Sequence, residues 1–356
     1  MINTPELKYF TAKQLRDWLE GRETVDGLSE AVIAPQRAWA IVRNPFVTDD
    51  MELVSALFVD GELAAYTACF PDLIERPEKK LIFWCTTLFC KPEFRGRGYG
   101  MFVLGHLMEA HEGLLFDVDA VDETNEGLKY LGMQVDFFDQ YILRFAKSIR
   151  GNGLKASLAR GREFFAARQR AIKAQNVYRQ CIAPEYSLSY SRHIDEPTYA
   201  FIAAHSKGDA FLRSRETLNW ILSEPFLLSA PVSEKLGSRN NFASEVPAFG
   251  FYGATVRVKG EIAGVYILRA SAQELSVKYL YYAEDFQREV FSSIAAHLIR
   301  LRLPEFATND AALAAFIESL RLHVNSRVIQ RSFAHPTDFA FDGTAHIQAG
   351  DGDMIT

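Results

Sequence analysis

Excess positive charge, metal-binding cysteine spacing and long apolar runs are all missing from this 356-residue chain. The formal net charge is −6, which argues against nucleic acid as a partner, since phosphate recognition needs a surplus of Lys and Arg. The four cysteines, Cys69, Cys85, Cys90 and Cys181, show no CxxC or other metal spacing. Three of them lie in apolar, strand-like runs, the usual setting of a buried free thiol. No metal site is expected: His106 and His111 lack ligand partners at helical spacing and read as surface histidines. No apolar run reaches the ~20 residues of a membrane-spanning helix. The first residues, MINTPELKYF, carry no apolar signal segment. The expectation is a cytoplasmic protein with no membrane and no nucleic-acid partner.

What is present describes a globular α/β chain. Apolar residues make up 48% and charged residues 24%, enough for a buried core under a polar surface. The length exceeds one comfortable core and predicts two domains. Residues 1–40 read as helical, with a helix start at Thr11 and amphipathic spacing through Leu15, Trp18 and Leu19. Residues 53–70 form a predicted hairpin around Asp60-Gly61. A polar, proline-bounded loop is expected over 71–80, then a strand over 81–90. Another strand spans 114–118, and a short helix over 124–131 stops at Gly132. Residues 134–145 read as a closing strand pair.

Between the strand ending Leu88-Phe89-Cys90 and a helix carrying Met101, Leu104, Leu107 and Met108 lies Arg95-Gly96-Arg97-Gly98-Tyr99-Gly100. Glycines let the backbone approach a ligand, amides at a helix start face outward, and the helix dipole favours an anion. The loop is not the GxxxxGK[ST] phosphate loop, because no Lys-Ser/Thr follows. Its GxGxG spacing is not the dinucleotide GxGxxG. It resembles instead the R/Q-x-x-G-x-G/A motif of the GCN5-related N-acetyltransferases (GNAT superfamily). Arg95 stands in the first position and Gly98 and Gly100 in the two small ones. The preceding Leu88-Phe89-Cys90-Lys91-Pro92-Glu93-Phe94 is similar to that family's approach to the loop, and the resemblance covers roughly residues 1–147.

The resemblance implies the GNAT fold, a mixed central sheet flanked by helices, and acetyl-CoA as acyl donor. Carried over residue by residue, Leu88, Phe89 and Cys90 would hold the pantetheine arm through their backbone. Arg95, Gly96, Arg97, Gly98, Tyr99 and Gly100 would hold the pyrophosphate, with both arginines neutralising charge. Strand amides near Leu88 would polarise the thioester carbonyl. The reaction implied is direct acetyl transfer to a primary amine of a small molecule or peptide. The chain departs from the family in its acid and base. The strand reads Trp84-Cys85-Thr86-Thr87 where many members carry Glu. Leu128 stands where a thiolate-protonating Tyr is expected, and Tyr130, two residues on, is the candidate acid. Asp117 and Asp119 alternate on one strand, as a carboxylate pair for an amine or simply as a solvated strand end. Cys90 as an acyl-carrying nucleophile is rejected, for want of a His-Asp pair.

The second half echoes the first. Thr255–Val265, TVRVKGEIAGV, repeats the pattern of residues 57–66, LFVDGELAAY, with Gly260 answering Gly61. A second strand and helix follow, KYLYYAEDF onward. There Gln287 stands opposite Arg95, but Val290 and Ser292 replace Gly98 and Gly100. The second copy keeps the frame and loses the cradle, since a β-branched residue suits such a loop badly. Arg213–Pro225 resembles a segment of some bacterial GNAT-like proteins. The expected layout is a GNAT domain over 1–147, a basic helical linker over 148–190, a degenerate GNAT-like domain over 191–336, and a tail over 337–356. The linker's Lys and Arg form either an anion-binding patch or an ordinary solvated face. Two alternatives to N-acetyl transfer are a non-catalytic acyl-CoA-binding scaffold, or transfer from a longer acyl-CoA or an aminoacyl-tRNA, the last opposed by the intact glycine loop and the acidic net charge.

Overall fold

The computed structural model describes residues 5–146, 154–183, 185–223, 249–271, 273–339 and 341–352. The chain forms two compact units that interleave along the sequence, where the linear reading kept each half contiguous. The first contains 1–138, 209–249 and 331–356, and the second 139–208 and 250–330.

In the first unit β1 (Pro5–Thr11) precedes α1 (Ala12–Leu19). The helix starts where its capping residue predicts: the Thr11 side chain and Gln14 cap each other's backbone amides reciprocally. The seven residues before it are strand rather than helix. They pair antiparallel with β2 (Glu52–Val59) from Pro5–Val59 to Thr11–Glu52, a long-range pairing that helical periodicity cannot show. After α2 (Pro35–Val42), β2 turns through Asp60 and Gly61, both at positive φ, into β3 (Glu62–Arg76). The turn was legible, but β3 runs on through Pro71, which pairs with Phe83, where a loop was expected. β4 (Lys80–Cys90) pairs with β3 along its length, and α3 (Tyr99–Ala110), β5 (Leu115–Val118) and α4 (Asp122–Tyr130) follow. Gly132 closes α4 at φ 88°. Residues 133–144 form one continuous strand, β6 (Met133–Arg144), not a pair.

The sheet order of this unit is β1-β2-β3-β4-β5 with β13 (Asn325–Pro336) beside β5, and the short β8 (Leu212–Arg213) pairs with β3. Phe333 pairs with Val118 and Ala334 with Asp117. Its core is aromatic: Trp84, Phe116, Phe211 and Phe333 are mutually packed, and Phe339 meets the Phe116 ring edge-on at 4.9 Å. Phe339 and Ile347 are buried, so the expected tail packs into this core.

In the second unit the order is β7-β9-β10-β11-β12-β6. These are β7 (Tyr186–Ser191), β9 (Phe249–Val258), β10 (Glu261–Ser271), β11 (Glu274–Tyr282) and β12 (Glu305–Thr308), beside the end of β6. The expected linker is largely one helix, α5 (Leu154–Cys181), while residues 148–153 lie outside the described residues. Val177 and Cys181 of α5 are buried in this unit's core with Phe291 and Phe306, so the helix is part of the unit. The remaining helices are α6 (Glu196–His205), α7 (Arg215–Ser223), which belongs to the first unit, α8 (Gln287–Leu301) and α9 (Ala311–Ser319).

The two units repeat each other in detail. β4 pairs with β5 in parallel at Phe83–Leu115 and Trp84–Phe116, and β11 pairs with β12 in parallel at Leu275–Phe306 and Ser276–Ala307. The β3–β4 register skips Thr86, and the β10–β11 register skips Lys278 in the same way. Phe83, Trp84, Thr86 and Phe94 each have a counterpart 192 positions later, at Leu275, Ser276, Lys278 and Phe286. A bulge is a local feature that chance similarity of two sheets does not reproduce at one offset.

Candidate acyl-CoA site in the first unit

The site begins where β4 leaves β5. The two strands are in register only at Phe83–Leu115 and Trp84–Phe116, while β4 continues against β3 to Cys90, opposite Ala65. The bulge at Thr86 lies just past this fork and bends β4. Thr87, Leu88, Phe89 and Cys90 are half-buried along the open side. At the fork Asp117 of β5 interacts with the Cys85 thiol; burial, with this carboxylate next, pushes that thiol well up.

Beyond Cys90 a short turn, Pro92–Phe94, leads into the glycine loop. Gly96 and Gly98 have φ of 77° and 78°, a left-handed conformation that L side chains resist. Gly98 is the N-cap of α3, so the loop ends with the first amides of a twelve-residue helix facing outward. A Cβ built on Gly96 or Gly98 would meet nothing within 4 Å, and one on Gly100 would lie 3.7 Å from Leu88 Cδ1. The space beside Gly96 and Gly98 is therefore open, and glycines there leave the backbone free for close approach by an anion. Arg95 and Arg97 are exposed. Arg95 Nε donates to Cys90 O at 3.2 Å, and the Arg97 guanidinium lies 5.6 Å over the Phe94 ring. The structure thus brings together Leu88, Phe89, Cys90, Arg95, Gly96, Arg97, Gly98, Tyr99 and Gly100 on one strand end, one loop and one helix start. These residues fit the pantetheine and pyrophosphate of a CoA ester.

Other candidates lie elsewhere. Tyr130 is the last residue of α4 and 89% exposed, whereas Leu128 is fully buried. Among the described residues Tyr130 makes no hydrogen bond or ring contact. The alternation of Asp117 and Asp119 ends at Val118, because Asp119 adopts φ 66° and pairs with Arg331 at 2.6 Å. The two carboxylates therefore do not act as a pair. Burial raises the Cys90 thiol, which disfavours a thiolate there. The histidines are not surface residues. His111 is buried, stacks on Phe83 at 3.6 Å and donates from Nε2 to Glu52 O at 2.8 Å, while half-buried His106 pairs with the Glu52 carboxylate at 2.8 Å. Burial lowers the His111 pKa. Because its Nε2 proton is committed to the carbonyl, it cannot serve as base to Cys69, 3.4 Å away. No group of three or more metal-ligating side chains occurs among the described residues.

Two supporting arrangements of buried charge lie behind the site. Arg37 of α2 is 1% exposed and donates through Nη1 to both Thr86 O and Thr87 Oγ1 at the bulge. Buried Asp72 accepts from Trp84 Nε1 at 2.8 Å and Thr217 Oγ1 at 2.8 Å, and pairs with Arg213 Nε at 3.0 Å. The Arg213 segment singled out in the sequence is thus a brace beneath β4. Its Pro225 lies outside the described residues. Trp220 Nε1 of α7 donates to Ala40 O at 2.9 Å and fixes α2.

Among its described residues the second unit shows no such cradle at the corresponding position. α8 begins at Gln287 directly after the turn Glu284–Phe286, with no glycine loop between them. Val290 lies within the helix, buried, rather than in a loop. No helix of the described chain is long and apolar enough to cross a membrane.

The fold is similar to known structures. A protein from Pyrococcus horikoshii, provisionally described as an acetyltransferase, matches 99% of this chain and 95% of its own at 10% identity, with a TM-score of 0.50. A GCN5-related N-acetyltransferase from Kribbella flavida matches 93% of this chain and 71% of its own at 13% identity, with a TM-score of 0.48. A tandem GNAT protein from the clavulanic acid biosynthesis pathway matches 94% of this chain and all of its own at 12% identity, with a TM-score of 0.46. No protein-family model matches the chain. No curated protein matches it either. The chain has the GNAT fold, built twice.

Proposed function

We propose that the first unit binds acetyl-CoA and transfers its acetyl group directly to a primary amine. The observation that carries this reading is the fork of β4 from β5 leading into a left-handed glycine loop at a helix start. Acetyl-CoA would supply an activated thioester. The β4 backbone from Leu88 to Cys90 would line the pantetheine arm, and the amides of Gly96 to Gly100, with Arg95 and Arg97, would take the pyrophosphate charge. Amides just beyond the bulge would donate to the thioester carbonyl as negative charge develops on it. The amine must lose a proton as it attacks, and Asp117, at the fork beside Cys85, is our candidate acceptor. Tyr130, the acid implied by the family motif, would require α4 to change its surroundings from the exposed state described above. The second unit would then contribute no acyl-CoA site, and the protein would act in the cytoplasm on a small-molecule or peptide amine.

A second reading, a non-catalytic acyl-CoA binder, is favoured by one observation: β4 carries no carboxylate between Lys80 and Cys90. Release of free CoA thiol measured across a panel of amines separates the two. Turnover with any amine supports the transferase; tight acetyl-CoA binding with no turnover on any of them supports the binder. Absence of both overturns the acyl-CoA reading itself.

A further inference from the structure

A guanidinium is costly to bury, and this chain buries one at the bend of β4. We infer that Arg37 is a positioning residue for the acyl site: it fixes and polarises the Thr86–Thr87 peptide, so that amides beyond the bulge present a strong, oriented field to the bound thioester. This inference rests on the acyl-CoA reading of the site and assigns it an electrostatic device that no sequence motif marks.

The argument starts from the bulge. Between Ala68–Thr87 and Cys69–Cys85 the ladder skips Thr86, and a bulged residue interrupts the regular exchange of hydrogen bonds between strands. At this point Arg37 Nη1 and the Thr87 hydroxyl both donate to Thr86 O, the latter at 2.6 Å, and Arg37 Nη1 also donates to the Thr87 hydroxyl oxygen. One cation therefore holds both the carbonyl and the side chain that closes over it. Withdrawing electron density from a peptide carbonyl makes the N–H of the same peptide, here that of Thr87, a stronger donor. A positive charge in a poorly screened interior acts over several ångströms, which includes the strand segment just past the bulge.

The arrangement is braced rather than fortuitous. Arg37 sits in the first turn of a short helix whose Ala38, Ala40 and Ile41 are buried. Trp220 donates to the Ala40 carbonyl at 2.9 Å, and Asn44 Nδ2, just past the helix, donates to Pro71 O of β3 at 2.8 Å. The second unit has the same bulge, but the skipped residue is Lys278 and no glycine loop follows. A bulge that only bent the strand would need no threonine pair and no buried guanidinium.

The test is isotope-edited infrared spectroscopy of acetyl-CoA labelled at the acetyl carbonyl, bound to the wild-type protein, Arg37→Gln and Thr87→Val. The wild-type protein should move the carbonyl band to lower wavenumber than in free acetyl-CoA. Arg37→Gln should lose most of that displacement while still binding the ligand, and where an amine supports turnover it should lower kcat more than it changes KM. Thr87→Val removes the bridging hydroxyl while leaving Arg37 in place, and should lose a smaller part; it carries the test if Arg37→Gln does not fold. An equal displacement in the variants, with the ligand bound, overturns the inference alone. A wild-type protein that produces neither binding heat nor a displaced band overturns the acyl-CoA reading and this inference with it.

Discussion

Val290 packs on Gly264 so closely that a Cβ at 264 would lie 2.4 Å from Val290 Cγ2. Val290, which the sequence aligns with the left-handed Gly98, is instead a core residue of a helix that starts immediately after its turn. The prediction is that Gly264→Ala costs about 1–3 kcal/mol of stability through overpacking. Val290→Ala in the same chain should recover part of that loss, measured as a double-mutant cycle by chemical denaturation. Binding of acetyl-CoA should be unchanged by either substitution.

Acid–base roles give a second prediction. Tyr130→Phe should leave thiol release within about twofold, because an 89% exposed side chain without partners has no route to protonate a leaving thiolate. Asp117→Asn should reduce it by about 100-fold, the usual scale for loss of a general base. Steady-state rates of both variants with the same amine decide between them. Cys90→Ala should retain turnover, since its proposed part is played by its backbone.

The buried carboxylates predict a pH dependence of stability. Burial pushes Asp351 up to about 7 from an ordinary value of 3.8, with Arg213 opposing the rise. An acid whose folded pKa lies above its unfolded one favours the folded state while protonated. Its contribution is full below about pH 4, declines as pH rises through about 7, and is then lost. Urea midpoints at pH 5 and pH 8 should therefore differ in wild type, lower at pH 8, and Asp351→Asn should narrow the difference.

The ion pair of Asp72 with Arg213 predicts a larger effect. Asp72→Ala takes the 3.0 Å carboxylate from a guanidinium that is 1% exposed, whose other contacts include Gly352 O at 3.3 Å and Asp351 at 3.6 Å, and removes the acceptor of Trp84 and Thr217. Breaking a buried pair from one side costs about 3–5 kcal/mol. Calorimetric melting should show the loss, and a shift of less than ~1 kcal/mol would mean the brace is not bearing on β4.

Local chemistry explains which of these features the sequence reveals. Asp60-Gly61 and Lys259-Gly260 mark hairpins because positive φ at consecutive positions demands particular residues. The glycine loop reads from sequence for the same reason. β1 does not, since seven residues without a turn signal become a strand only by pairing with residues some fifty positions away. The expected linear division into domains could not foresee that β13 joins the first sheet and the end of β6 the second. Arg37 and Arg213 carried no signal of burial, because an arginine looks the same in sequence whether it meets water or a bulged carbonyl. Of the two readings of Asp117 and Asp119, the positive φ of Asp119 removes the pair and leaves the strand end.

Calorimetric titration of the full chain with acetyl-CoA tests the central claim most directly. The account predicts one molecule bound per chain, with at least a tenfold weaker affinity in Arg95→Ala/Arg97→Ala, about 1.5–3 kcal/mol for each lost charge-assisted contact. Binding should also be lost in Gly98→Val. No binding, two molecules per chain, or an affinity indifferent to these three residues would contradict it.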